Sequence, residues 1–490
     1  VDYFLSVFNL RFLLILFSGS LIGLIIGALP GLSVTMATAL LLSVTYSWPF
    51  YDAIALMIGV YVVGVYSGAI SSILVNIPGT PASVATSFDG FPMSCKGNSK
   101  KALWIATVYS FIGTVFGLIV LSLIAKPLSK IALSFSPIDY FLLAFFGLTT
   151  VGSLTSKNIL KGHISAFIGV MISMVGIDSI MGVPRFTFGS LNLQLGIPIV
   201  PVLIGLFGFS EVLEQISSQT SSQISLLNNN ERVSIKEILK YWKISLISSA
   251  IGTIIGILPG AGAPVASLLA YDSAKKYTKK PKIPFGQGAP EGIAASESAN
   301  NACIGGALVP MLTLGIPGDA VTAVMLSAFY VHGLRPGPLF IKENPQAFEL
   351  IVLSTLIGSF FIIILGFLFI PVLSKVVLVP KKIMLPLIAI LCIIGAYSVN
   401  SSLYEVSIMT VFGVIGFFMR KTGFSTAAMV LGIVLGEMMD SNFRRALSLS
   451  GSVREMITGT FFKPISIVII VFIVLSVFLS IKNKTNAAKK

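Results

Sequence analysis

Apolar residues come in runs long enough to cross a bilayer, divided by short polar stretches, and they recur to the C-terminal end. The runs fall near 10–46, 53–77, 101–125, 137–155, 160–180 and 197–216. After a polar stretch they resume near 240–271, 300–332, 347–374, 383–398, 403–419, 424–440 and 459–481. A helix needs about 20 mostly apolar residues to span the hydrocarbon, so the pattern predicts about 12 membrane-spanning helices. The short alternating segments of an outer-membrane barrel are not what this pattern resembles. The expected fold is an all-α polytopic membrane protein. It divides into a first transmembrane repeat over 1–216, a polar linker over 217–239 and a second repeat over 240–490. Phe12 to Ile26 leads straight into further apolar runs and lacks a basic stretch before it, so it is expected to be a resident helix rather than a signal peptide.

Three runs are interrupted by Pro-Gly, at Pro30, Pro259 and Pro317, and a fourth Pro-Gly pair closes the run that ends near Asn76. Ile22 to Leu42 reads IGLIIGALPGLSVTMATALLL, and Ile251 to Tyr271 reads IGTIIGILPGAGAPVASLLAY. They align without a gap through Gly23/Gly252, Gly27/Gly256, Leu29/Leu258, Pro30/Pro259 and Gly31/Gly260. Each is followed by a second break: Asn76-Ile-Pro-Gly-Thr80 in the first half and Gly315-Ile-Pro-Gly-Asp319 in the second. Two ordered matches point to duplication, with the homologous halves expected in inverted orientation.

Composition supports a membrane location. Charged residues make up 11% of the 490 residues and hydrophobic ones 55%, whereas soluble domains carry roughly 25% charged residues. The formal charge of +14 comes from basic residues scattered in short loops. That is the distribution of topology determinants, not of a nucleic-acid-binding face. The densest clusters are Lys275, Lys276, Lys279, Lys280 and Lys282, and the tail Lys482, Lys484, Lys489 and Lys490; both are expected on the cytoplasmic side. Cys95, Cys303 and Cys392 are far apart, and with only His163 and His332 no His-rich or Cys-rich metal site is expected. No Gly-rich loop ending in Gly-Lys-Ser/Thr is present, so a nucleotide is not expected to drive the protein directly.

Proline removes a helical hydrogen bond, and glycine lets the chain turn. A Pro-Gly pair within an apolar run therefore frees backbone N–H and C=O groups, which in hydrocarbon must face protein, water or a ligand. Half-helix N-termini suit anions and unwound carbonyls suit cations. The candidate substrate-binding residues are Pro30, Gly31, Ser33, Asn76, Pro78, Gly79, Thr80, Pro259, Gly260, Gly262, Asn300, Asn301, Pro317 and Gly318. Thr35, Ser83 and Ser267 add hydroxyls nearby. Asp319, with Gly315 and Thr313, is the candidate Na⁺ site, although Asp319 is equally placed to cap the helix after the break. No other cofactor is expected. Gly286 to Asn301 (GQGAPEGIAASESANN) reads as an ordinary loop or as a gate bearing Glu291 and Glu297. Arg185, Arg335, Glu211, Glu437 and Asp440 read mainly as charges at span ends.

The breaks also carry a resemblance. GALPGLS at 27–33, NIPGTPASVATSFDGFPM at 76–93, GILPGAGAPVAS at 256–267, GQGAPEGIAASESANNACIGGALVPMLTLGIPGDAVTAVML at 286–326, GLRPGP at 333–338 and RFTFGSLNLQLGIPIVPVLIGLFGFSEVL at 185–213 resemble the large membrane subunit of tripartite tricarboxylate transporters (TctA-like). Ser33 departs from the motif's usual glycine, which the second copy keeps at Gly262. The resemblance implies a multi-pass protein of the bacterial inner membrane that works with a small four-helix membrane subunit and a periplasmic solute-binding protein. It further implies import of an organic carboxylate driven by an ion gradient, often Na⁺. On this pattern Pro30, Gly31, Asn76, Pro78 and Gly79 face Pro259, Gly260, Asn301, Pro317 and Gly318 across a pseudo-two-fold axis, with substrate between them.

Two alternatives stand beside this one. Tyr271-Asp272 followed by Ile316-Pro-Gly-Asp319 has the order of the motifs of an intramembrane aspartyl protease, with Ile316 in place of a glycine. A channel is the other, although two matched halves within one chain suit alternating access better than a symmetric pore.

Overall fold

The structure is a computed structural model that describes residues 9–29, 31–154, 158–178, 180–217, 233–279, 281–376, 381–461 and 463–487. Pro30 and most of the expected linker lie outside the described residues. The first part of the chain forms α1 (Leu10–Ala28), α2 (Val34–Val44), α3 (Phe50–Val75), a 3-10 turn (Pro81–Ser83) leading into α4 (Val84–Cys95), α5 (Ser99–Ala132), α6 (Pro137–Leu154) and α7 (Ile159–Ser173). A small antiparallel hairpin follows, β1 (Gly176–Ile177) on β2 (Pro184–Arg185). Next come α8 (Leu191–Gln194) and α9 (Ile199–Leu203), which runs through a π-helical stretch (Ile204–Phe209) into α10 (Ser210–Ser217). The remainder forms α11 (Ile235–Ile238), a 3-10 turn (Leu239–Tyr241), α12 (Trp242–Ile257), α13 (Gly262–Tyr277), α14 (Pro290–Leu314), α15 (Ala320–Val331), α16 (Phe340–Glu343), α17 (Pro345–Val376), α18 (Lys381–Asn400), α19 (Leu403–Thr422), α20 (Thr426–Ser450), α21 (Val453–Phe461) and α22 (Pro464–Ala487).

Among the described residues, eight helices are long and apolar enough to cross a membrane. Shorter apolar helices stand beside them, α2 and α15 among them, and these two begin at the Pro-Gly breaks that shorten them. The chain is therefore an all-α, multi-pass membrane protein. Large apolar side chains are exposed over its outside, for example Leu123, Phe167, Leu368 and Ile394.

Glycines bring the central helices together. A Cβ on Gly19, Gly23 or Gly27 of α1 would lie 2.2, 2.6 or 2.4 Å from the backbone oxygens of Leu56, Val60 and Gly64 on α3. In the same way Gly252 and Gly256 of α12 press on Ala299 O and Cys303 O of α14, at 2.2 and 2.6 Å. Gly113 and Gly117 of α5 meet Ser298 O and Ala302 O of α14 at 2.2 and 2.4 Å. Where lipid is as apolar as leucine, such close backbone contact is what holds helices together.

Two expectations need correction. The polar segment from Gly286 is a loop only as far as Ala289; from Pro290 it is already helix α14, with proline at its first turn. The small and polar residues of α14 are buried between α5 and α12, so a hydropathy reading does not see the helix. The run near 160–180 ends as a helix at Ser173 and turns into the hairpin. Helix α4 had no counterpart among the apolar runs because TSFDGFPMSC is too mixed in polarity to stand out.

Candidate functional site

The breaks of the two halves share their backbone. Leu29 and Leu258 each end a helix with ψ of 119°, and each N–H bonds the carbonyl three residues earlier, Ile26 O and Ile255 O. Gly31 and Gly260 follow in the left-handed region, with φ of 84° and 74°. At the second break α3 ends on Asn76 and α14 on Gly315, with φ of 56° and 71°. Asn76 is a non-glycine residue in a conformation that asparagine tolerates better than most. Gly79 and Gly318 then press against equivalent atoms: an added Cβ would lie 2.1 Å from Gly27 O in one half and 2.6 Å from Gly256 O in the other.

The restarting helices are capped alike. The Thr80 N–H donates to Ser83 Oγ at 3.3 Å, and the Asp319 N–H donates to Thr322 Oγ1 at 2.9 Å. Asp319 adds more. Its Oδ1 accepts from the Thr322 N–H at 2.8 Å and from the Thr322 hydroxyl at 2.7 Å, while Oδ2 accepts from the Tyr61 hydroxyl at 2.6 Å. Asp319 thus caps α15 and ties it to α3 of the first half. Ser33 and Gly262 differ in backbone: Ser33 is extended and accepts from the Met36 N–H, whereas Gly262 has φ of 63° and α13 starts without a side-chain cap.

These breaks meet. Gly260 N–H donates to Gly318 O at 2.8 Å, joining the two breaks of the second half. The Thr150 hydroxyl of α6 donates to Pro259 O at 2.8 Å. Ala82, in the turn after the first half's Pro78-Gly79, packs with Ala263, Ala266 and Cys303 of the second half. Gln215 of α10 reaches Gly31 O at 2.8 Å. Asn76 is exposed at its end of α3, and Pro78 is partly exposed. Thr313 is buried and bonds Val309 O within its own helix. Asn300 and Asn301 are fully buried in the middle of α14, where Asn301 donates to Thr114 of α5 at 3.0 Å.

Most of the remaining charged candidates are paired elsewhere. Arg185 pairs with Asp440 at 2.9 Å and with Asp178 at 3.6 Å, and Arg444 joins the same cluster. Backbone donors from Ile180 and Met181, with the two guanidinium groups, hold the Asp178 carboxyl below the usual carboxylate range. Glu211, read as a span-end charge, is buried and paired with Arg420. Arg335 and Glu437 are exposed. Asp272 is half-exposed and bonds Lys276 at 2.6 Å, so it and Asp319 hold separate partners rather than forming an aspartyl dyad.

Two carboxylates are buried in ways the sequence does not show: Asp89, which stood only within a longer motif, and Glu297, which was read as part of a loop or gate. Asp89 of α4 accepts from the N–H groups of Gly286, Gly288 and Ala289, each at 2.8 Å, and from the Tyr271 hydroxyl at 2.8 Å, which fastens the loop before α14. Glu297 is wholly buried in α14 and is reached by the hydroxyls of Thr86 and, at 2.9 Å, Ser110. Neither can be found from apolar periodicity, since both partners sit far away in the chain. Among the described residues no group of His, Cys, Asp and Glu is arranged to hold a metal ion through such side chains alone.

A multi-pass helical fold whose interrupted helices meet at one internal place defines a class, that of membrane proteins built around discontinuous helices. Residues 13–431 match the profile described as "Tripartite tricarboxylate transporter TctA family", and the chain belongs to that family. The family is one of transporters, not of enzymes. Among curated proteins, an "Uncharacterized 52.8 kDa protein in TAR-I ttuC' 3'region" from Agrobacterium vitis is 33% identical over 470 residues, covering 96% of this chain and 93% of the relative. A second, an "Uncharacterized protein in TAR-II ttuC' 3'region" from the same organism, is 35% identical over 234 residues, 48% of this chain and 96% of the relative. No solved structure matches.

Proposed function

We propose that the chain is the large membrane subunit of a binding-protein-dependent secondary transporter that imports a small organic carboxylate, a tricarboxylate or a related acid, across a bacterial inner membrane. The observation that carries this reading is the meeting of matched breaks: the first half's turn at Ala82 packs on α13, and Asp319 bonds Tyr61 of α3. The start of α13 at Gly262 lacks a side-chain cap, and its N–H groups suit a substrate carboxylate. The Thr80 and Ser33 hydroxyls supply neutral polar contacts around it. Pro30, Gly31, Pro78, Gly79, Pro259, Gly260, Pro317 and Gly318 shape the opened backbone, with Asn76 at its edge.

In this reading the halves 1–216 and 240–490 are inverted repeats that rock about the breaks, and a periplasmic binding protein delivers the substrate. A small four-helix subunit completes the membrane part. The coupling ion is Na⁺ rather than H⁺, held at the second break by Asp319 with Gly315 and Thr313. Purified protein with its small subunit and cognate binding protein, in proteoliposomes, tests this. Saturable uptake of a labelled di- or tricarboxylate, driven by an inward Na⁺ gradient and absent without the binding protein, is expected. Uptake driven by neither a Na⁺ nor an H⁺ gradient overturns the reading. An Asp319→Asn protein with unchanged Na⁺ dependence removes Asp319 from the ion's site.

A further inference from the structure

Glu297 raises a question of charge that the breaks do not answer. It sits in the middle of α14, fully buried, where α14 packs against α5 through Gly113 and Gly117. Its Oε1 accepts from the Thr86 hydroxyl of α4, and its Oε2 accepts from the Ser110 hydroxyl of α5 at 2.9 Å, while Asn300, one turn further along α14, donates its amide to Val65 O of α3 at 3.4 Å. Among the described residues, none of the ion pairs includes it. A lone carboxylate within a membrane protein is costly unless something neutralises it.

The surrounding polar atoms indicate what does so. The side-chain oxygens of Asn300 and Asn301 are buried and have no donor. Both are acceptors on residues three and four along α14 from a group that is itself an acceptor, so this face of the helix has a surplus of oxygen lone pairs and a shortage of positive charge. A hydroxyl that donates to a carboxylate keeps lone pairs of its own, and Thr86, Ser110 and Ser296, which lies 3.1 Å from Thr86 Oγ1, are all fully buried here. A proton would neutralise Glu297 and give it one O–H to donate, enough for one of the two amide oxygens but not for both. A divalent ion would leave an uncompensated charge with one carboxylate. An all-oxygen set with a single negative charge suits a hard monovalent cation.

We infer that Glu297, Thr86, Ser110, Asn300 and Asn301 form a Na⁺ site between α4, α5 and α14, separate from the helix breaks. It rests on the cation-coupled reading above, because a buried ion held by three helices, one of them from the second half, is released only when those helices part. Occupation would lock α14 to α4 and α5, and loss of the ion would free them.

The test is thermal unfolding of the purified full chain in detergent, with NaCl exchanged against KCl or choline chloride at constant ionic strength and pH. The midpoint is expected to rise saturably with Na⁺ and not with K⁺ or choline. Glu297→Gln, close to isosteric, should raise the half-saturating Na⁺ concentration about tenfold or abolish the response. Ser110→Ala should shift it in the same direction by less, and the exposed Asp272→Asn should leave it unchanged. Far-UV circular dichroism and gel filtration of each variant confirm the fold, and Ser110→Ala serves if Glu297→Gln does not fold. A wild-type protein stabilised by acid but not by Na⁺ overturns the proposal, as does a Glu297→Gln protein with the wild-type Na⁺ response. A response lost in Asp319→Asn and kept in Glu297→Gln also overturns it, by moving the ion to the break. Uptake that no gradient drives would defeat the transport reading alone, since Na⁺ binding at Glu297 is measured without transport.

Discussion

The two second breaks, Asn76–Thr80 and Gly315–Asp319, have the same backbone but are secured differently. In both, a left-handed residue ends the helix, Ile-Pro-Gly crosses the gap, and an N-cap restarts the chain with its N–H bound to a hydroxyl three residues on. The second half adds a carboxylate, a bond from Gly260 to Gly318 and a bond from Tyr61 of the other half. At its cap the first half has the Thr80 hydroxyl, 3.5 Å from Ser83 Oγ, in place of the carboxylate; Ser72 of α3 donates to Ser83 Oγ at 2.9 Å, Gly79 N–H donates to Gly68 O at 3.3 Å, and Gln215 of α10 holds the first break. The opened backbone is common to both halves, while charge and fastening are not. The first half's second break is fastened by neutral groups of its own half, and the second half's by a carboxylate that reaches across to the other half.

The common part is tested hardest by filling the glycine after each proline. A Cβ at Gly318 would lie 2.5 Å from the Cα of Ala307 and 2.6 Å from Gly256 O, and one at Gly79 would lie 2.1 Å from Gly27 O and 3.0 Å from the Cα of Gly68. Ser71 Oγ, 2.6 Å from the added Cβ at Gly79, could turn away, but these backbone neighbours cannot. Gly318→Ala and Gly79→Ala should each cost about 3 kcal/mol, the upper end for overpacking. Denaturation in detergent measures this. Near-equal losses support equivalent packing in the two halves, and tolerance at one position alone breaks the equivalence.

The same glycines mark how much the sequence disclosed. Leu29-Pro30-Gly31 and Leu258-Pro259-Gly260 announced interrupted helices because proline and glycine act on their own backbone, and local effects are legible locally. The capping role of Asp319 was legible too, since Asp319 stands three residues before Thr322. Its bond to Tyr61 was not, because that pairing depends on how α3 packs against α15. Glu297 was visible as a carboxylate in a small-residue segment. Its burial was hidden, because the stretch of α14 around it is small and polar, and Ser298 and Ala299 there meet Gly113 of α5 and Gly252 of α12. Asp89 was quoted only within a longer motif, and the three N–H groups that it holds belong to a loop far along the chain.

The unequal part of the comparison appears at the caps. Asp319→Ala removes the acceptor of the Thr322 N–H and leaves the Tyr61 hydroxyl without its partner, at a cost of about 2 kcal/mol. Thr80→Ala removes only a long hydroxyl contact and should cost about 0.5 kcal/mol. Tyr61→Phe on the Asp319→Ala background should cost little further, because the hydroxyl has already lost its acceptor. A double-mutant cycle read by thermal unfolding checks this. Equal costs for Asp319→Ala and Thr80→Ala would make the two caps equivalent and remove the asymmetry.

The smallest effect is expected where the two first breaks diverge, at Ser33 and Gly262. Ser33 has φ of −106° and its hydroxyl accepts from the Met36 N–H at 3.1 Å, so Ser33→Gly loses one cap bond and gains a permissive residue. Replacing a capping serine by glycine costs only a few tenths, about 0.3 kcal/mol. Gly262 has φ of 63°, and the nearest atom to an added Cβ is the Cβ of Asp319 at 3.4 Å, an ordinary contact. Space therefore does not oppose Gly262→Ser, but the left-handed backbone does, by about 1 kcal/mol. The serine departure is thus harmless only in the half that carries it, because the two breaks had already taken different backbones at this residue. Equal stability for the two exchanges, measured side by side in detergent, would mean that Ser33 can adopt the conformation of Gly262, and the last difference between the breaks would then be one of side chain alone.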